Sequence, residues 1–168
     1  MKSVKYPATV WRNPVHFIAF GFGVGTIGIA PGTFGTVVAI PIYLLMQDLA
    51  PVFYITGVAV LFLAGIWICE VTSRDLGVDD HPGIVIDEIT GFLLAMTASP
   101  SGWLWIVCGF LLFRLFDIWK PWPIGMIDRR VRGGMGIMAD DIVAGIFTFL
   151  VLQIMIFAFL DKTVIAGL

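Results

Sequence analysis

Five apolar segments, at residues 34–50, 52–71, 84–98, 103–119 and 138–160, are separated by turns and by polar stretches at 72–83 and 120–137. Most approach the roughly 20 residues that a helix needs to cross a bilayer with a hydrocarbon core about 30 Å thick. An α-helix satisfies its backbone hydrogen bonds internally, so it can sit in hydrocarbon without help. Composition agrees: 59% of residues are hydrophobic, 13% are charged and the mean hydropathy is +0.98, far from the balance of an ordinary soluble domain. The chain reads as an all-α, polytopic membrane helical bundle of about four to five spans plus a Gly-rich N-terminal helix and loop. One domain, residues 1–168, fills this length and leaves no room for a second.

The breaks are as informative as the spans. Residues 16–35 contain Gly21, Gly23, Gly25, Gly28, Gly32, Gly35 and Pro31, so a short helix followed by a loop is expected there instead of a straight span. Pro41 is expected to kink the first span. Residues 48–51 and 99–102 read as turns, and 72–83, with Arg74, Asp75, Asp79, Asp80, His81 and Pro82, as a polar loop. Pro121 and Pro123 end the fourth span. Cys69 and Cys108 lie inside apolar runs without metal-ligand spacing and read as reduced packing residues. His16 and His81 are isolated and read as interfacial or loop residues. Trp11, Trp103, Trp105, Trp119 and Trp122 fall at span boundaries, as in an aromatic belt. The basic N-terminus lacks a small-residue cleavage site, so no cleavage is expected.

Lysine and arginine accumulate in cytoplasmic loops. With the N-terminus inside, alternate crossing places Lys2, Lys5, Arg12, Arg74, Lys120, Arg129, Arg130 and Arg132 on the cytoplasmic side and only Lys162 outside. This asymmetry predicts a multi-pass protein of the cytoplasmic membrane with its chemical groups facing the cytoplasm. A net charge of −2 argues against nucleic acid as a partner.

Three constellations carry chemistry. Arg114, Asp117 and Lys120 are spaced to form one stripe near the end of the fourth span, either an interfacial ion-pair ladder or a phosphate clamp held by a carboxylate. Asp87 and Glu88 open the third span, and Asp140 and Asp141 open the fifth. One acidic pair at a helix start is explained by the helix dipole. Two pairs on different spans, with Asp117 as a further carboxylate, fit an oxygen-only site for Mg²⁺ better. Adjacent helical residues diverge by about 100°, so neither pair is expected to face one point squarely. Finally, the glycine-rich turn with Gly32 and Thr33, and the Arg132-Gly133-Gly134 stretch, offer backbone N–H groups to a phosphate or serve as tight-packing and hinge elements. The GxGxxG-like match at residues 23–28 follows no strand and is not a nucleotide fingerprint.

The motifs APGTFGT, VIDEITG, FRLFDIWKPWPI and GGMGIMADDIVAG, in this order and spacing, resemble the bacterial phosphatidylglycerophosphatase A family from residue 16 to residue 145. Gly28 departs from that pattern, in which proline is frequent. The resemblance implies a Mg²⁺-dependent phosphatase that removes the terminal phosphate of phosphatidylglycerophosphate. Asp87, Glu88, Asp140 and Asp141 would hold the metal and Arg114 and Lys120 the phosphate, with Asp117 as a further ligand or general base. A small membrane transporter is the alternative, since charges within membranes also mark ion pathways, but there is no internal repeat and no charge near the middle of a span. The oligomeric state is not legible.

Overall fold

The structure, a computed structural model, describes residues 7–166, with side chains described through residue 159. Lys2, Lys5 and the side chain of Lys162, which enter the charge argument above, lie outside the described residues. The described residues form helices α1 (Pro14–Ala19), α2 (Pro31–Met46), α3 (Pro51–Leu76), α4 (Ile86–Ala95), α5 (Trp103–Trp119), α6 (Ile124–Arg130) and α7 (Gly133–Ala166). Short 3-10 turns at Ala8–Trp11 and Val24–Thr26 flank α1, and no strand occurs among these residues.

Two helices, α3 and α7, are long and apolar enough to cross a membrane. The 26 residues of α3 reach about 39 Å, whereas the 16 of α2 and 17 of α5 reach about 25 Å. The third apolar segment behaves differently from the span expected of it. Only Ile86–Ala95 is helical, about 15 Å long, which is half the hydrocarbon thickness. Eight of its ten residues are buried, because α2, α3, α5 and α7 all pack around it. Phe92, Leu93 and Met96 join Tyr43, Phe113 and Leu152 in the main core. The Tyr54 hydroxyl ties α3 to this centre by donating to the Leu93 carbonyl at 2.6 Å.

Glycines set how closely α4 and α7 cross. A Cβ at Gly91 would stand 2.6 Å from the Asp141 carbonyl oxygen and 2.8 Å from the Phe113 ring, and one at Gly145 would strike the Gly91 carbonyl. Backbone therefore lies against backbone at this point, as small residues permit in membrane helices.

Several boundaries depart from the sequence reading, each for a local reason. Helix α2 begins at Pro31, well placed in the first turn because its missing N–H is not needed there, so the glycine-rich loop ends at Ala30. Helix α3 runs through the expected loop as far as Leu76. Gly77, at φ +68°, stops it, with its own N–H donating to the Arg74 carbonyl and that of Val78 to the Ser73 carbonyl. The GGMG stretch forms the first turn of α7, where Glu70 accepts from the Gly134 N–H at 2.7 Å. The short helix α6 was not expected. His16 is buried instead of interfacial, its ring lying 3.1 Å from the Thr9 hydroxyl and 3.2 Å from Asp75. Cys69 and Cys108 are free, as expected.

The Gly91→Ala variant should lose about 1–3 kcal/mol of stability by overpacking, read as a lower melting temperature of the detergent-solubilised protein. Gly57→Ala meets only the flexible tip of Met46 at 3.1 Å and should melt at or above the wild-type temperature. Equal melting of both variants would contradict the close α4–α7 crossing.

Candidate active site

A cavity of about 370 Å³ opens at the end of the bundle where α2, α4 and α7 begin and α5 ends. Eight carboxylates and three cations line it. An anionic ligand can approach such a surface only if further positive charge accompanies it or some of the carboxylates are protonated.

Asp87 and Glu88 occupy the first turn of α4, where the helix dipole favours negative charge. Asp141 lies about two turns into α7, brought beside them by the glycine crossing. One carboxylate oxygen from each of Asp87, Glu88 and Asp141 lies within 4.8 Å of the others. Adjacent though they are, Asp87 and Glu88 thus both reach the same point. Asp87 is 9% exposed and Asp141 3%. Asp87 Oδ1, Glu88 Oε2 and Asp141 Oδ1 have no hydrogen-bond partner among the described residues. Three converging carboxylates in a low-dielectric wall, each with an oxygen that lacks a donor, repel one another. This donor set fits a hard divalent cation, which takes oxygen ligands.

Asp140 turns the other way. Its Oδ2 accepts from Lys120 Nζ at 2.6 Å, and Asp128 Oδ1 accepts from the same ammonium at 2.6 Å. Lys120 caps α5 at a left-handed φ of +46°, which turns the chain from α5 towards α6 and brings Asp128 back to it. Burial disfavours the Lys120 ammonium, but hydrogen bonds to the two carboxylates outweigh it and hold its pKa above the usual lysine value. Arg114 Nη1 donates to Asp117 Oδ2 and stands 4.0 Å from Glu88 Oε1, while its buried Nε has no partner among the described residues. The stripe of Arg114, Asp117 and Lys120 therefore splits into two cationic groups, each held by carboxylates.

Gly32 lies directly on the Glu88–Arg114 pair. A Cβ there would collide with Glu88 Oε1 and stand 3.1 Å from Arg114 Nη1. Its neighbour Thr33 does not line the cavity, and its N–H is occupied by the Ala30 carbonyl at 3.0 Å. Gly133 lines the wall, whereas Gly134 packs against the Ile66 carbonyl and gives its N–H to Glu70, so it anchors α7 on α3. Arg132 sits on the exposed rim, 4.0 Å from Asp79. Near this rim His81 is buried and accepts from the Gly83 N–H at 3.0 Å, and burial lowers its pKa. Asp79, Asp80 and Asp128 line the cavity although sequence spacing places none of them in the site. Asp128 is the one of these that Lys120 holds. It pairs with Lys120 only through the reversal at Pro121–Pro123, which no helical period encodes.

The chain matches the family model for phosphatidylglycerophosphatase A over residues 17–156. It is 47% identical to the phosphatidylglycerophosphatase A of Escherichia coli strain K12 across 81% of this chain and 80% of that protein. It is 42% identical to the Haemophilus influenzae protein of the same name, across 83% and 86%. A Bacteroides thetaiotaomicron protein provisionally named a phosphatidylinositol-3-phosphatase is 34% identical across 82% and 90%. No solved structure matches the chain. With its four motifs gathered at one end of a helical bundle and most of its length aligned to these relatives, the chain belongs to the phosphatidylglycerophosphatase A family.

Proposed function

We propose that the protein hydrolyses the terminal phosphate of phosphatidylglycerophosphate in a Mg²⁺-dependent reaction at the cytoplasmic face of the bacterial inner membrane. The observation that carries this reading is the convergence of the Asp87, Glu88 and Asp141 carboxylates, each with a buried oxygen unpartnered among the described residues, with two carboxylate-held cations on the same cavity. Phosphoryl transfer depends mainly on positioning and charge neutralisation, which this arrangement can supply.

Asp87, Glu88 and Asp141 would hold the metal. When bound, Mg²⁺ supplies charge neutralisation at the phosphate oxygens and acidifies water. Arg114 and Lys120 bind the phosphate, and their guanidinium and ammonium groups offset its charge. Asp117 orients Arg114, and Asp140 orients Lys120. Hydrolysis forms one bond from water oxygen to phosphorus and breaks the phosphorus–oxygen bond to the glycerol, whose oxygen gains a proton. The four to five spans are α2, α3, α5 and α7 as crossing helices, with the shorter α4 sheathed between them. The seven lysines and arginines with described side chains all lie towards the cavity end, with Lys162 near the far end of α7, and the positive-inside tendency assigns the cavity end to the cytoplasm.

Purified protein in detergent should release phosphate from phosphatidylglycerophosphate with Mg²⁺ and not after chelation; metal-independent release, or none, overturns the proposal. Asp141→Asn should lower kcat by about 10²-fold or more while elution and melting stay close to wild type, and Lys120→Ala should lower kcat similarly while eluting as the folded protein, with a lower melting temperature from the stranded Asp140. Gly32→Ala, by displacing Glu88 and Arg114, should lower kcat/KM by about 100-fold although the substituted side chain carries no chemistry. A fully active Gly32→Ala protein would show that Glu88 is not held where the reaction needs it.

A further inference from the structure

The cavity has two kinds of edge. Asp79, Asp128 and Arg132 form an exposed polar rim. Between the start of α2 and the end of α5 the wall is apolar instead, made by Ala30, Pro31 and Ile118. Ile118 lines the cavity and yet is 70% exposed, so the enclosure is broken on that side. Geometry fixes this place. Arg114 and Ile118 stand four residues apart on one face of α5. Gly32 meets Arg114, so Ile118 lies one turn beyond that contact, across from the first residues of α2. Ile29, two residues before α2, is 76% exposed, and Trp119 and Trp122, also exposed, follow Ile118 in the chain.

From this juxtaposition we infer that the gap between the α2 N-terminus and the α5 C-terminus is a lateral entry for a lipid. The phosphate end enters the cavity towards Arg114 and Lys120, and the acyl chains pass over Ile118 and Ile29 into the bilayer. The inference rests on the reading of the site as a lipid phosphatase and adds the path its substrate takes. A soluble phosphate ester needs only the polar rim. A diacyl lipid drawn through that rim would bring its chains into water, at a cost proportional to the apolar area exposed. The apolar break avoids that cost because its two walls continue directly into the lipid-facing surfaces of α2 and α5. The occupant to which it is matched is therefore the chain region next to the glycerol backbone, held just outside a site that takes the headgroup.

The test compares two substrates on the full-length protein in mixed micelles: long-chain phosphatidylglycerophosphate and its deacylated, water-soluble headgroup. For Ile118→Asn and Ile29→Asn, KM for the long-chain lipid should rise by about tenfold relative to KM for the deacylated compound, the scale of one lost apolar side-chain contact. Ile118→Leu should restore the wild-type ratio. An equal loss on both substrates would place Ile118 in the structure of the cavity and overturn the lateral path, as would unchanged kinetics on both. Wild-type protein that releases phosphate from the deacylated compound but not from the lipid also overturns it. Release from neither substrate overturns the phosphatase reading itself, and the lipid path with it.

Discussion

The close crossing of α4 on α7 through Gly91 and Gly145 is the contact on which the rest of the site depends. Two helices normally pack with their axes 8–10 Å apart, separated by side chains. Here a Gly91 Cβ would meet the carbonyl of Asp141 itself, so the residue that enables the crossing also sets where the α7 carboxylate stands. Asp87 lies one turn before Gly91, and Glu88 adjoins it. The triad is therefore a consequence of backbone approach, with no flexible loop in between. Because α4 is walled by four other helices, Asp87 at its start is buried and Glu88 beside it half-buried.

That burial creates an electrostatic problem which the surrounding residues solve only in part. A buried charge is tolerated when paired and hydrogen-bonded, and removing one partner strands the other. Asp117 and Asp140 each have a cation. Asp87 and Asp141 have none among the described ion pairs, and Arg114 reaches Glu88 only at 4.0 Å. The two halves of the cavity thus differ in kind. In one, Arg114 is paired with Asp117, and Lys120 with Asp128 and Asp140. The other is left with uncompensated oxygen donors, which is the state expected of a cation site.

Much of this was legible before any coordinates. The helical class follows from the apolar runs, and α5 falls where residues 103–119 placed it, because Gly102 and Pro121 bracket an uninterrupted apolar stretch. The acidic pairs and the cationic stripe all reach one cavity. The division of labour between Asp140 and Asp141 was not legible. Neighbours on a helix point about 100° apart, and only the rotation of α7 about its axis, set by Gly134 on Ile66 and Gly145 on Gly91, decides which of them faces α4. The length of α4 was hidden for a similar reason. Residues 84–98 are apolar because they are buried in protein, and burial in protein and burial in lipid leave the same composition.

Unequal helix lengths explain why a cavity exists at all. Gly65 packs against Met138 and Glu70 caps the α7 start, so the upper parts of α3 and α7 run side by side beyond the level of Asp141. The last six residues of α3 add about 9 Å past Glu70. Helix α4, starting only at Ile86, does not fill the space between them, and the connection through His81 to Val85 together with α6 closes it incompletely. The recess is thus bounded by polar loops on its outer side and by the ends of α2 and α5 on its flank. A set of equally long helices would present the same acidic residues flush with the surface, exposed to water and without a wall to concentrate their charge. Recessed, they are walled by polar loops on one side and by Ile118 on the flank, so the length mismatch gives the cavity one polar and one apolar edge.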